Sequence, residues 1–154
     1  MFVSLVIIAP MARARGFDFS SLLIYEAFGR VCNQIPARSF YLEGHPLAVC
    51  ARCTGIYFGF AASVLLYPLV RSLESVIAPA RKWLLVAAAP TALDFALDFF
   101  GLWKNTHLSR SLTGALLGAI VAFYVVPGLL DLSRMAFRRR AAARAPANVE
   151  RVNK

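Results

Sequence analysis

Charged side chains are scarce in this sequence. Asp, Glu, Lys and Arg make up 16% of the chain, against about 25% in soluble domains. Disorder requires high charge and low hydrophobicity, so it is excluded for most of the chain. Apolar residues reach 59% and fall in long uncharged runs, which the amphipathic elements of a soluble domain do not produce. The composition therefore excludes an ordinary water-soluble fold and favours a membrane protein.

Acidic residues are scarcer still, with 8 Asp and Glu against 17 Lys and Arg. A net charge of +9 can indicate nucleic-acid binding when the basic residues share one folded face. Here seven basic residues lie beyond residue 133, and the others border apolar runs. This distribution predicts membrane topology, a lipid bilayer as the partner, and no nucleic acid.

Three stretches satisfy the requirement of about 20 mainly apolar residues for a transmembrane helix. They are residues 53–70, 83–103 and 111–130. The second is interrupted by two Asp residues and bounded by Trp, a residue typical of membrane interfaces. The third contains a GxxxG spacing at Gly114 and Gly118, which lets helices approach closely.

The remaining segments complete the predicted fold. Phe2–Ala12 is apolar but too short to span a bilayer, and it predicts a partial or re-entrant helix. Phe17–Val31 mixes apolar and charged residues and predicts an amphipathic helix at the interface. We therefore expect an all-α integral membrane bundle of three full helices within a single domain, residues 1–140. Residues 141–154 are expected to form a disordered basic tail.

The distribution of Lys and Arg predicts the orientation. Ten lie on the side that carries the C-terminus and seven on the other. Because basic residues favour the cytoplasmic side, the C-terminus is predicted to be cytoplasmic. The chain is then integral to the cytoplasmic membrane, and residues 32–53 lie on its outer side.

All three cysteines fall within 22 residues, at Cys32, Cys50 and Cys53. The CxxC pair sits where the first full span begins, and a helix N-terminus together with Arg52 favours a thiolate. With His45 the set reaches Cys₃His, the ligand number of a closed tetrahedral zinc site. The sequence therefore predicts a metal site for zinc or iron formed by Cys32, His45, Cys50 and Cys53.

Other interpretations of these cysteines stay open. Cys50 and Cys53 could form a redox pair with Cys32 as a partner, in a membrane thiol oxidoreductase that passes electrons to a quinone. The aromatic residues Tyr57, Phe58 and Phe60 could then line a groove for the quinone. The cysteines could equally be inert buried residues or one structural disulfide. A third functional class is an accessory subunit of a larger membrane complex, or a homo-oligomer.

Asp94 and Asp98 lie four residues apart, on one face of the second predicted span. An ionised carboxylate in a bilayer is costly, so each needs Arg52, Arg110 or a bound cation as a partner. Arg110 is itself unexpected at an outer membrane surface, and we expect it to lie inside the bundle, paired with Asp98 or Asp94. Six polar residues are expected around the cysteine ligands: Arg38, Arg52, Asp94, Asp98, Asn105 and Arg110.

These residues resemble a family of small prokaryotic polytopic membrane proteins classified as a domain of unknown function. Its pattern is Cys-His-x-x-Pro-x-Arg-Ser-Phe, a short gap, and then Val-Cys-Ala-Arg-Cys-Thr-Gly-Ile-Tyr-x-Gly, which matches residues 32–40 and 49–59. Asn33 stands where the family has His, so a metal role at that position does not carry over. The resemblance implies a membrane fold with a complete helix before the motif, so that residues 1–12 correspond to its second half. It implies no established activity.

Overall fold

The computed structural model describes residues 2–71 and 79–144, without the side chains of Phe2 and residues 141–144. The described chain is mostly helical. In order, it contains α1 (Phe2–Ala14), α2 (Asp18–Gly29), a short 3-10 helix (Pro36–Arg38), strands β1 (Tyr41–Leu42) and β2 (His45–Pro46), α3 (Ala51–Val70), α4 (Lys82–Phe99) and α5 (His107–Arg144).

Two of the described helices, α3 and residues 107–140 of α5, are long and apolar enough to cross a membrane. They contain the predicted spans 53–70 and 111–130. Their outward apolar side chains are exposed, as expected of surfaces that face lipid: Leu65, Leu69, Leu112 and Leu129 are each at least 60% exposed.

Helix α4 lies at the position of the predicted span 83–103, but it is shorter than that span. It ends at Phe99, because Gly101 adopts a left-handed conformation (φ 68°) that stops the helix. Trp103 lies beyond it. Helix α4 carries three charged residues within its 18 positions, Lys82, Asp94 and Asp98, whereas α3 and α5 each contain an 18-residue stretch with at most two.

Helix α5 is longer than predicted at both ends. It begins at His107 and continues past Asp131 to Arg144, about 57 Å in all. The alanines at 141–143 are strong helix formers, so helix persists into the first four residues of the segment predicted to be a disordered tail. Residues 145–154 of that segment lie outside the described residues.

Helices α3 and α5 make the most extensive contact among the described elements, and glycine residues let their backbones approach closely. A Cβ atom added at Gly55 or Gly59 would overlap the backbone of α5, and one added at Gly114 or Gly118 would overlap the backbone of α3. Two GxxxG motifs therefore face each other, one on each helix. Helix α4 joins this pair through contacts with α5, including a hydrogen bond from Thr91 Oγ1 to the Thr113 carbonyl (2.9 Å).

The helical hairpin α1–α2 covers the segment that carries the cysteines. The chain reverses at Gly16, which has φ 82°, and buried Ser21 donates a hydrogen bond to the Ala9 carbonyl (2.9 Å). The two segments predicted to be short helices before the cysteines thus form α1 and α2. A small core lies between this hairpin and the cysteine segment, formed by Val6, Ala9, Phe28, Cys32, Leu47, Ala48 and Val49.

Candidate functional site: a three-cysteine cluster

The thiols of Cys32, Cys50 and Cys53 come together at the start of α3, with all three Sγ atoms within 4.8 Å of one another. Cys32 follows α2 and is buried, Cys50 is the residue before α3, and Cys53 lies in its first turn. All three are free thiols. Three soft donors at this separation can hold one metal ion, or two of them can join as a disulfide.

Hydrogen bonds of the loop between α2 and α3 bring the cysteines together. Gln34 adopts a left-handed conformation (φ 48°), and its Nε2 atom donates to the carbonyls of Tyr25 and Ala48, at 2.7 Å each. The backbone N–H of Cys50 donates to Sγ of Cys32 at 3.2 Å. These bonds tie the end of α2 to the residues that enter α3.

Two local effects favour the thiolate form of Cys50. Hydrogen bonds with Cys32 and, to a lesser extent, Cys53 lower the pKa of the Cys50 thiol. The residue also lies at the N-terminus of a 20-residue helix, where the helix dipole favours negative charge. A thiolate is the form that binds metals and attacks disulfides.

The structure does not place His45 in this group of ligand atoms. His45 lies on β2, opposite Leu42, after a tight turn formed by Glu43 (φ 51°) and Gly44 (φ 80°). A two-residue turn with both φ angles positive closes a short β-hairpin. This hairpin sets the direction of His45 independently of the thiols. The hairpin is also held to α2 by the hydroxyl of the half-buried Tyr25, which donates to the Pro46 carbonyl.

The two carboxylates of α4 each pair with an arginine from another part of the fold. Arg52 of α3 contacts Asp94 at 2.5 Å. Arg110 of α5, only 8% exposed, contacts Asp98 at 2.9 Å, which confirms the predicted pairing of Arg110 inside the bundle. Arg38 approaches Asp98 at 3.5 Å. The pairs join three helices and the cysteine loop.

Asp94 has further partners in the first turn of α5 and in the loop before it. The Ser109 hydroxyl donates a hydrogen bond to Asp94 Oδ1 at 3.2 Å. The side-chain amide of Asn105 donates to the Asp94 backbone carbonyl. Of the six polar residues expected around the cysteines, Arg38, Arg52, Asp98 and Arg110 line a cavity with them, whereas Asp94 pairs with Arg52 and Asn105 bonds to Asp94. His107, at the exposed start of α5, contacts the Ala37 carbonyl at 3.2 Å and the ring of Phe40.

Two cavities flank the cluster. A polar one of about 400 Å³ is lined by Cys32, Cys50 and Cys53 and by charged residues, namely Arg30, Arg38, Arg52, Asp98 and Arg110. An apolar one of about 970 Å³ lies between the α1–α2 hairpin and α3. Tyr57 and Phe60 line the apolar cavity, as expected for an apolar groove, whereas Phe58 is not among its lining residues.

Sequence reasoning missed several residues that build the site. Gly55 and Gly59 repeat the GxxxG spacing noted at Gly114 and Gly118, and this signal was visible in the sequence. Gln34 and Ser109 carried no such signal. Their roles depend on loop conformations that bring them to partners 9 to 15 residues away.

Comparisons with known proteins agree with a membrane fold. The chain is 34% identical over 122 residues to an uncharacterized protein of Methanocaldococcus jannaschii, covering 79% of this chain and 78% of that protein. It is 33% identical over 87 residues to an uncharacterized protein of Methanothermobacter thermautotrophicus, covering 56% and 77%. No solved structure matches. The family model described as a predicted membrane protein, DUF2085, matches residues 32–124, from the first cysteine into α5. The chain belongs to this family of membrane proteins.

Proposed function

We propose that Cys32, Cys50 and Cys53 form a metal centre that binds zinc or iron. The observation that carries this proposal is the separation of their three Sγ atoms, all within 4.8 Å. In a tetrahedral zinc site with bonds of about 2.3 Å, the sulfur atoms lie about 3.8 Å apart. The thiols therefore need to move by no more than about 1 Å to surround an ion, within the range of side-chain rotation.

Three protein ligands leave a fourth coordination position. Structural zinc sites are closed by four protein ligands, whereas catalytic sites keep one position for water or substrate. The cysteines line the polar cavity, which supplies space for such a molecule. The arginines around this space offset the negative charge of the thiolates.

Metal analysis of the full chain tests this proposal. After purification in a mild uncharged detergent, we expect about one zinc or iron ion per chain, measured by mass spectrometry of the elements. Cys50→Ser should lose most of it, because it removes one of three ligands. His45→Ala is the matched control and should retain the metal. Equal metal content in the wild type and Cys50→Ser would refute the proposal.

A membrane thiol oxidoreductase is the second candidate, and the apolar cavity favours it. Tyr57 lies one turn after Cys53 and lines this cavity, which is large enough for a quinone ring and part of its tail. Oxidation of Cys50 and Cys53 to a disulfide releases two electrons and two protons, and together these reduce a quinone to a quinol. Maleimide trapping in intact cells measures the redox state. A pair that never changes between thiol and disulfide when respiration is altered would contradict this function.

We also propose that α4 is a third crossing, with a cytoplasmic C-terminus and the cysteine cluster on the outer side. Its 18 residues span about 27 Å, close to the ~30 Å hydrocarbon core. Asp94 and Asp98 are paired with arginines, which lowers their cost in lipid. Reporter fusions after residues 80 and 154 should be cytoplasmic, and one inserted between residues 104 and 106 should lie outside. Reporters on the two sides of α4 that give the same location would contradict the crossing of α4.

A further inference from the structure

The polar cavity beside the cysteines contains more positive than negative charge. Four guanidinium groups line it, those of Arg30, Arg38, Arg52 and Arg110. Asp98 is shared by Arg38 and Arg110, and Asp94 pairs with Arg52. Within residues 2–71 and 79–144, Arg30 has no carboxylate within 4.0 Å. Two positive charges are therefore left without a carboxylate of their own.

The metal centre proposed above does not remove this excess. A divalent ion with three thiolates carries a net charge of −1, which balances one arginine at most. One or more positive charges therefore remain among the arginines that line the cavity. The excess is therefore a property of the arginines and does not depend on whether a metal is bound.

The hydrogen-bond donors of the arginines are also incompletely used. Arg52 and Arg110 each direct Nη2 to a carboxylate, while their buried Nε atoms have no acceptor among the described residues. Arg30 and Arg38 are exposed, so their side chains can reorient toward a ligand. Arginine binds oxoanions with two parallel hydrogen bonds, and phosphate and carboxylate match that geometry.

We infer that this cavity binds an oxoanion of the phosphate type, either free or as the head group of an anionic lipid. At about 400 Å³ the cavity has room for a group larger than a bare ion. Val31 lines both this cavity and the 970 Å³ apolar cavity. A ligand with its anionic group among the arginines could thus extend an acyl chain along Val31.

Ligand-induced thermal stabilisation of the full chain in uncharged detergent tests this inference. The probes are inorganic phosphate, dioctanoyl phosphatidylglycerol and dioctanoyl phosphatidylcholine. We expect the midpoint of unfolding to rise with an anionic probe, because a ligand that binds only the folded state stabilises it. Tighter binding of phosphatidylglycerol than of phosphate identifies a lipid ligand, and equal binding identifies the free oxoanion. No rise with either, or an equal rise with phosphatidylcholine, would overturn the inference.

Variants separate binding in the cavity from general attraction to basic residues. The double variant Arg30→Gln, Arg38→Gln removes two exposed charges that line the cavity and should weaken anion binding at least tenfold. Arg15→Gln, an exposed arginine outside the cavity, is the matched control and should bind as the wild type does. Wild-type affinity in the double variant would overturn the inference. The wild-type chain should still bind the anion after its metal has been removed with a chelator, which distinguishes this inference from the proposed metal centre.

Discussion

Replacing Arg52 by Ala should destabilise the protein more than any other change to its ion pairs. Arg52 contacts Asp94 at 2.5 Å, and the Asp94 side chain is only 9% exposed. Without Arg52, the carboxylate keeps the Ser109 hydroxyl at 3.2 Å as its side-chain partner. Asp98 differs, because loss of Arg110 still leaves it Arg38 at 3.5 Å. The cost of removing an arginine should therefore be greater at Arg52 than at Arg110.

The magnitude follows from the two states open to the stranded carboxylate. Leaving it charged and unpaired costs about 3–5 kcal/mol. Taking up a proton costs an ordinary aspartic acid about 4 kcal/mol at pH 7 and about 1.5 kcal/mol at pH 5. The carboxylate of the variant will adopt whichever of these two states has the lower free energy. We expect Arg52→Ala to lose about 3–4 kcal/mol of unfolding free energy at pH 7 and about half as much, or less, at pH 5.

Titration with sodium dodecyl sulfate in mixed micelles, followed by far-UV circular dichroism, measures this free energy. The double variant Arg52→Gln, Asp94→Asn should recover much of the loss, because no charge remains buried. Arg38→Gln is the matched control, since its side chain is 49% exposed and should contribute less than about 1 kcal/mol. Equal losses for Arg52→Ala and Arg38→Gln, or a loss for Arg52→Ala that does not change with pH, would refute the reasoning.

Two further predictions concern helix packing. Gly118→Ala should destabilise the protein by about 1–3 kcal/mol, because its Cβ would overlap the Ile56 carbonyl. At Gly128 an added Cβ would meet no atom from another element of the described chain within 4 Å, so Gly128→Ala should be neutral or stabilising by up to about 1 kcal/mol. The same titration compares the two variants, and equal effects would contradict the packing argument. Ser21→Ala removes the buried hydrogen bond to the Ala9 carbonyl and should cost about 1–3 kcal/mol. An unchanged thermal midpoint would show that this bond does not hold the α1–α2 hairpin.

The parts of the fold that could be predicted are those specified by local composition. Residues 53–70 and 111–130 are helical because an uncharged run of this length must satisfy its own backbone hydrogen bonds in lipid. The burial of Arg110 and its pairing with Asp98 were also predictable, since a charge within a bundle requires a nearby partner. In each case a strong energetic requirement acts on residues that are close together in sequence or lie at the same depth in the membrane.

The parts that could not be predicted depend on loop conformation. His45 counts as a metal ligand by residue type and spacing, but the turn at Glu43 and Gly44 sets its direction, and the structure does not gather it with the thiols. The end of α4 depends on a single residue, Gly101, in a run whose composition otherwise favours continuation. Gln34 positions the cysteines through two long-range bonds, and no local pattern indicates which backbone carbonyls a glutamine will reach.

The interlocked glycines also restrict how this protein can move. Sliding α3 along α5 by one residue would bring larger side chains against backbone that now faces Gly55, Gly59, Gly114 and Gly118. The two helices should therefore move together as one rigid body. Because Gly114 packs on the carbonyl of Arg52, this pair holds Arg52 and the start of α3 in place. Any opening of the cysteine cluster would then arise from displacement of α4 or of the α1–α2 hairpin. These elements can move, whereas α3 and α5 stay fixed relative to each other.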